Sequence, residues 1–199
     1  MKLEVRRAEF GDVPELKRMI DECLAPDYYT PEKLEACIQG EENLFYVVTD
    51  ADRAGAVAAF FYAFMSTLDE ALEIMQVSKR PEPLAEYDGN TVVGVYKTVS
   101  TGKDYRKYGI CSSFVRSQEP VLRERGAKLI LVPAMRSPAG VVPARDILQE
   151  NGFEPIAEII RPWEDMEIYC PYCGHFHCIC DAVFYIKHLD RTEGQDARR

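Results

Sequence analysis

No apolar run in this chain comes near the roughly 18 residues that a bilayer-spanning helix needs. The opening residues, MKLEVRRAEF, hold no apolar core of the kind an export signal carries. These two absences point to a cytoplasmic protein with no membrane partner. There is no basic excess either: 24 Lys and Arg stand against 33 Asp and Glu, a net charge of −9, which argues against a non-specific nucleic-acid binder. No internal repeat and no low-complexity segment interrupts the 199 residues, enough for one domain with a sizeable core. Seven cysteines without an export signal argue against a disulfide framework. Four of them fall between residues 170 and 180 and need a different explanation.

The apolar patterning reads as alternating strands and helices. Lys2 to Arg6 is a short first strand. Asp12-Val13-Pro14-Glu15 is a helix start, with Asp12 as N-cap and Glu15 completing a capping box, followed by an apolar face of Leu16, Met19, Ile20, Cys23 and Leu24. Thr30-Pro31-Glu32 opens a second helix that Gly40 stops. Leu44 to Thr49 and Ala56 to Met65 make a hairpin. Residues 66–90, with a short helical pattern of Leu68, Leu72, Ile74 and Met75, read as a surface insertion between strands. Thr91 to Val99, a loop, a helix from about Gly109 and the run Leu129 to Val132 then read as a βαβ unit with parallel strands. Pro120 is expected to kink or shorten that helix. A helix closed by Asn151-Gly152, a strand from Phe153 to Ile160, a long connection over residues 161–181 and a strand from Ala182 to Ile186 complete a domain of residues 1–190, leaving 191–199 as a disordered tail.

The loop Lys103 to Ser113 is the part of the βαβ unit that carries chemistry. A helix starting directly after a strand aims unpaired N–H groups beyond the strand end, where an anion can sit. Gly109, Cys111, Ser112 and Ser113 are small enough for close approach, and Arg106 and Lys107 add positive charge. A Walker loop is excluded, because Lys97 stands where its first Gly belongs and Asp104 follows Lys103. A dinucleotide fingerprint is excluded because Gly109 stands alone.

Arg106-Lys107-Tyr108-Gly109-Ile110-Cys111, followed by Ser112, resembles the acetyl-CoA loop of the GNAT N-acetyltransferase superfamily, written Arg/Gln-x-x-Gly-x-Gly/Ala. The order of elements is similar too, from the strand and Asp12-entered helix at the start to Gly152-Phe153 and two closing strands. The resemblance implies an α/β fold with a central mixed, twisted sheet and helices on both faces. It implies acetyl-CoA as co-substrate, its pyrophosphate on the backbone N–H groups of residues 106 to 112 and its pantetheine arm beside Val99 and Thr101. The implied activity is transfer of an acetyl group to a primary amine of a small molecule or peptide by direct attack. Exposed apolar strands often pair in such folds, so a homodimer is among the expected states. The chain also departs from the family. Leu148 stands where a thiolate-protonating Tyr is common, Val141 where an Asn contacts the cofactor, and Lys103 replaces a Pro. The strand Thr91 to Val99 carries no carboxylate base, its titratable groups being Tyr96 and Lys97. Tyr96, Tyr62 and Tyr108 are the remaining candidates for proton transfer.

Cys170-Pro171-Tyr172-Cys173-Gly174 is a metal knuckle, and Cys178 and Cys180 supply two more thiolates for a structural zinc. Three cysteines with His175 form the second choice of ligands; His177 is a further candidate, and a redox pair is the competing chemistry. In the family this connection borders the acceptor pocket, and the adjacent Trp163, Glu164, Asp165, Glu167 and Tyr169 suit a cationic amine. Two other functions fit the same residues: an acyl-CoA-binding sensor without catalysis, and an interaction protein that uses the knuckle.

Overall fold

The computed structural model describes residues 2–190; the tail 191–199 lies outside them. Seven strands form one mixed sheet in the order β1-β2-β3-β4-β5-β7-β6. They are β1 (Leu3–Arg7), β2 (Asn43–Asp50), β3 (Ala56–Thr67), β4 (Val92–Thr101), β5 (Leu129–Arg136), β6 (Glu154–Ile159) and β7 (Asp181–His188). The helices are α1 (Val13–Cys23), α2 (Pro31–Gln39), α3 (Leu68–Ile74), α4 (Ile110–Glu124) and α5 (Arg145–Glu150). All neighbouring strands are antiparallel except β4 and β5, whose connection through α4 makes them parallel, as the βαβ reading requires. Among the described residues, no helix is long and apolar enough to cross a membrane.

Both sheet faces are covered because the strands are apolar on both sides. On one face α4 and α5 pack Phe114, Val115, Leu122 and Leu148 against Phe61, Tyr96 and Ile130. Gly94 allows this approach, since a Cβ there would stand 2.8 Å from Leu122. On the other face α1 and α2 cover Phe45, Val47 and Phe60 with Leu16, Ile20 and Leu34.

Three local expectations change. Residues 66–90 are not a surface insertion: Leu68, Ala71, Leu72, Met75 and Leu84 are buried against Val93, Val95, Leu129, Leu131, Phe184 and Ile186. The segment covers part of one face of β4, β5 and β7, and its helix starts with a capping box between Thr67 and Glu70. Asp12 does not cap α1 through its side chain. Its carboxylate accepts from the N–H of Glu9 at 2.8 Å and from both terminal nitrogens of Arg6 at 2.6 and 2.7 Å. Pro120 does not shorten α4, which runs on to Glu124 with the proline on its exposed side.

Candidate functional site

β4 and β5 pair only at Val93–Leu129, Gly94–Ile130 and Val95–Leu131. Beyond these residues each strand stays with its other neighbour, β4 with β3 as far as Thr101 and β5 with β7 as far as Arg136. The sheet therefore splits, and each strand presents an unpaired backbone edge to the split. Pro133, inside β5, is compatible with that open edge.

A cavity of about 260 Å³ fills the split. Tyr96 to Val99 form one wall and Val132 to Met135 the other. From the α4 and α5 face come Phe61, Val115, Ile147 and Leu148, and from the opposite face Leu24, Ala25 and Tyr28 of the segment after α1. Residues of both faces thus line one continuous space through the sheet. The β6–β7 connection closes it with Trp163, Met166, Ile168, Cys170, Tyr172 and Cys178.

Where β4 leaves the cavity it runs into the expected anion loop. Gly102 is fixed by its N–H to the carbonyl of Ala58 (2.9 Å), and Tyr105 is buried with its hydroxyl donating to Asp50. Lys107 (φ +70) and Gly109 (φ +74) take left-handed backbone conformations that turn the chain into α4. For Lys107 this costs about 1 kcal/mol; for Gly109, the helix N-cap, it is free. The first backbone bond of the helix runs from Ser113 N–H to Gly109 carbonyl. Among the described residues, no protein acceptor engages the N–H groups of Arg106, Lys107, Tyr108, Gly109, Ile110, Cys111 or Ser112. Arg106 and Lys107 are exposed, and among the described residues no carboxylate pairs with them. Val99 lies on the cavity wall, and Thr101 shares a 3.0 Å contact with the sulfur of Cys111. Burial pushes the Cys111 thiol up, which disfavours its thiolate form.

The four cysteines of the knuckle converge: the sulfurs of Cys170, Cys173, Cys178 and Cys180 all lie within 4.8 Å of one another. Those of Cys170 and Cys180 are 3.9 Å apart, close to the roughly 3.8 Å edge of a tetrahedron with 2.3 Å bonds. Gly174, at φ +75, lets the chain fold back so that Cys170 N–H donates to His175 carbonyl and Gly174 N–H to Cys170 carbonyl. Burial works against ionisation of Cys173, but hydrogen bonds from the N–H groups of Ile179 and His175 and from the thiols of Cys170 and Cys180 together outweigh it and lower the thiol to about 7. Burial pushes Cys178 up to about 11. A second thiolate beside the first is thus unfavourable without a cation, and four converging sulfurs are compatible with zinc. His175 and His177 are exposed and outside the group; His177 Nδ1 lies 3.1 Å from the carbonyl of Glu164. Three of the cysteines pack against Met135 and Trp163, both cavity residues.

Other expected residues separate. Glu164, Asp165 and Glu167 are exposed and do not line the cavity, so the expected acidic wall for a cationic amine is absent there. Leu148 is buried against the cavity and offers no hydroxyl; Val141 is 58% exposed and outside it. Of the three tyrosine candidates only Tyr96 lines the cavity, and its hydroxyl donates to Val115 carbonyl at 2.9 Å. Tyr108 is 64% exposed, and Tyr62 contributes nothing to the lining. Burial pushes both Tyr96 and Tyr62 well up from the usual tyrosine range. The polar lining residues that sequence reasoning missed include Tyr28, Tyr172 and the side chain of Lys97 in the role of cavity cation.

No protein-family model and no curated protein sequence matches this chain. Solved structures do. NAA60 of Arabidopsis thaliana bound to acetyl-CoA superposes with a TM-score of 0.72 at 13% identity, over 96% of this chain and 100% of that one. The fold is that of the GNAT N-acetyltransferases. The ribosomal-protein-S18-alanine N-acetyltransferase of Escherichia coli gives 0.63 at 14% identity, over 97% of both chains. A GNAT-family acetyltransferase of Streptococcus pneumoniae gives 0.60 at 13% identity, over 94% of this chain and 99% of that one.

Proposed function

We propose that the chain is an acetyl-CoA-dependent N-acetyltransferase. The observation that carries this reading is the split between β4 and β5, which runs from a cavity into an anion-ready helix start. The pyrophosphate of CoA sits on the N–H groups of residues 106 to 112, with Arg106 and Lys107 adding charge. The pantetheine arm lies along the open edge of β4 beside Val99 and Thr101 and takes the hydrogen bonds that β5 does not. This brings the thioester into the cavity. An amine entering between Tyr28 and the β6–β7 connection attacks the thioester carbonyl. The C–N bond forms, the C–S bond breaks, the CoA sulfur leaves as thiolate and collects a proton, and the amine nitrogen loses one. An unpaired N–H of β4 can stabilise the oxyanion. No Asp, Glu or His lines the cavity among the described residues, so most of the acceleration comes from holding the two reactants together.

Zinc at Cys170, Cys173, Cys178 and Cys180 is structural in this reading. Four protein sulfurs leave no position for substrate, and the ion holds the acceptor-side wall in place. The neighbours include structures with a bisubstrate analogue and with a peptide and CoA, which supports a peptide or small-molecule amine as acceptor.

The lack of a carboxylate, and Leu148 at the tyrosine position, favour a second reading: an acyl-CoA-binding protein without turnover. Thermal shift with acetyl-CoA and release of free CoA thiol across a panel of amines separate the two. Stabilisation with thiol release supports the enzyme, stabilisation without release on any amine supports the binder, and no stabilisation removes both.

A further inference from the structure

Lys97 is the extra residue of a β-bulge. β3 and β4 are in register at Tyr62–Thr98 and again at Ala63–Tyr96, which leaves Lys97 opposite no partner. A bulge re-aims the side chain it carries. Lys97 lines the cavity and is the one charged side chain in its lining among the described residues. The rest of that lining is largely apolar, including Leu24, Val132, Met135, Ile147 and Met166. Among the described residues no carboxylate pairs with Lys97. Its titratable neighbour is the Cys37 thiol, which burial pushes up and so keeps uncharged at neutral pH. Burial lowers the Lys97 amine itself, the sign of a cation that has lost water and gained no counter-ion.

An unpaired ammonium in an apolar wall is stabilised by an incoming anion, and it repels an incoming cation. We propose that Lys97 is the specificity-determining residue of this cavity, pairing with a substrate carboxylate. The substrate class is then a molecule with an apolar body and a carboxylate, supplied either by the amine acceptor or by the acyl group of the thioester. The two-source assignment rests on the acyltransferase reading; the pairing itself needs only the cavity.

The test uses the full chain as wild type, Lys97→Met and Lys97→Arg, with three matched pairs of probes. Calorimetry compares 4-phenylbutyrate with its amide. Thiol release from acetyl-CoA compares phenylalanine with phenylalaninamide as acceptors. Release from succinyl-CoA is compared with release from butyryl-CoA to examine the donor. The expected result is a roughly tenfold preference for the carboxylate member in the binding pair and in one of the two turnover pairs, as expected for one charge-assisted hydrogen bond. It appears in KM, disappears in Lys97→Met and largely survives in Lys97→Arg. Which turnover pair shows it names the source. No preference in any pair, or a preference that persists in Lys97→Met, overturns the proposal. If the binding pair behaves as expected but acetyl-CoA neither binds nor turns over, the acyltransferase reading fails and the carboxylate site stands. If acetyl-CoA turns over with no carboxylate preference, the reverse holds.

Discussion

At one end of the cavity the polar groups are backbone: N–H groups of residues 106 to 112 and the open edge of β4. At the other end they are side chains, Tyr28, Lys97 and Tyr172, with the sulfurs of Cys170 and Cys178 in the wall. The first end comes from one continuous stretch, strand, turn and helix. The second is assembled from the segment after α1, the bulge in β4 and the β6–β7 connection. A backbone site tolerates most side chains and needs only a few small residues and a pair of left-handed positions, Lys107 and Gly109. A side-chain site depends on every segment that delivers a group to it, and one of those segments here is clasped by sulfur.

This contrast makes the acceptor end the more fragile. Replacing Cys180, fully buried, by Ala should abolish stoichiometric zinc and destabilise the protein by more than about 4 kcal/mol, a range reached by loss of a metal site. Chemical denaturation with metal analysis measures it, and retained stability in a zinc-free variant would break the comparison. At the cofactor end, Gly109→Val forces a β-branched residue to φ +74 and should cost about 1–3 kcal/mol of stability while weakening acetyl-CoA binding more than tenfold. Calorimetry at matched folded fraction separates the two effects. The smallest change is expected for Arg106→Ala, roughly a threefold loss of affinity that shrinks as salt rises, because in the proposed function backbone groups carry the pyrophosphate. A loss as large as that of Gly109→Val would mean that side chains, not backbone, hold the anion.

The same contrast explains what could be read from the sequence. The loop was legible because strand, Arg106, Gly109 and helix follow one another in the chain. The knuckle was legible because Cys170-x-x-Cys173-Gly174 is a turn by itself, and the sulfurs do meet. Lys97 was visible as a residue but not as a cavity cation, because a bulge is a mismatch between two strands and leaves no local trace. Residues 66–90 were legible in part for a related reason. The short helical pattern of Leu68, Leu72, Ile74 and Met75 marks α3, but its burial follows from the apolar far side of β4, β5 and β7. The near-continuous apolar run Val92-Val93-Gly94-Val95 was the available signal, since such a strand needs cover on both faces. Glu164, Asp165 and Glu167 share the β6–β7 connection with the lining residues, but there the apolar Trp163, Met166 and Ile168 turn inward and the carboxylates stay exposed.

The central claim is that acetyl-CoA occupies both the split in the sheet and the start of α4. Amide hydrogen exchange with and without acetyl-CoA tests it at residue level. The account predicts protection of β4 residues 97 to 101 together with residues 106 to 112, from the same ligand and at the same concentration. Binding that leaves both stretches unprotected, or that protects the helix start while the β4 edge exchanges as before, would contradict it.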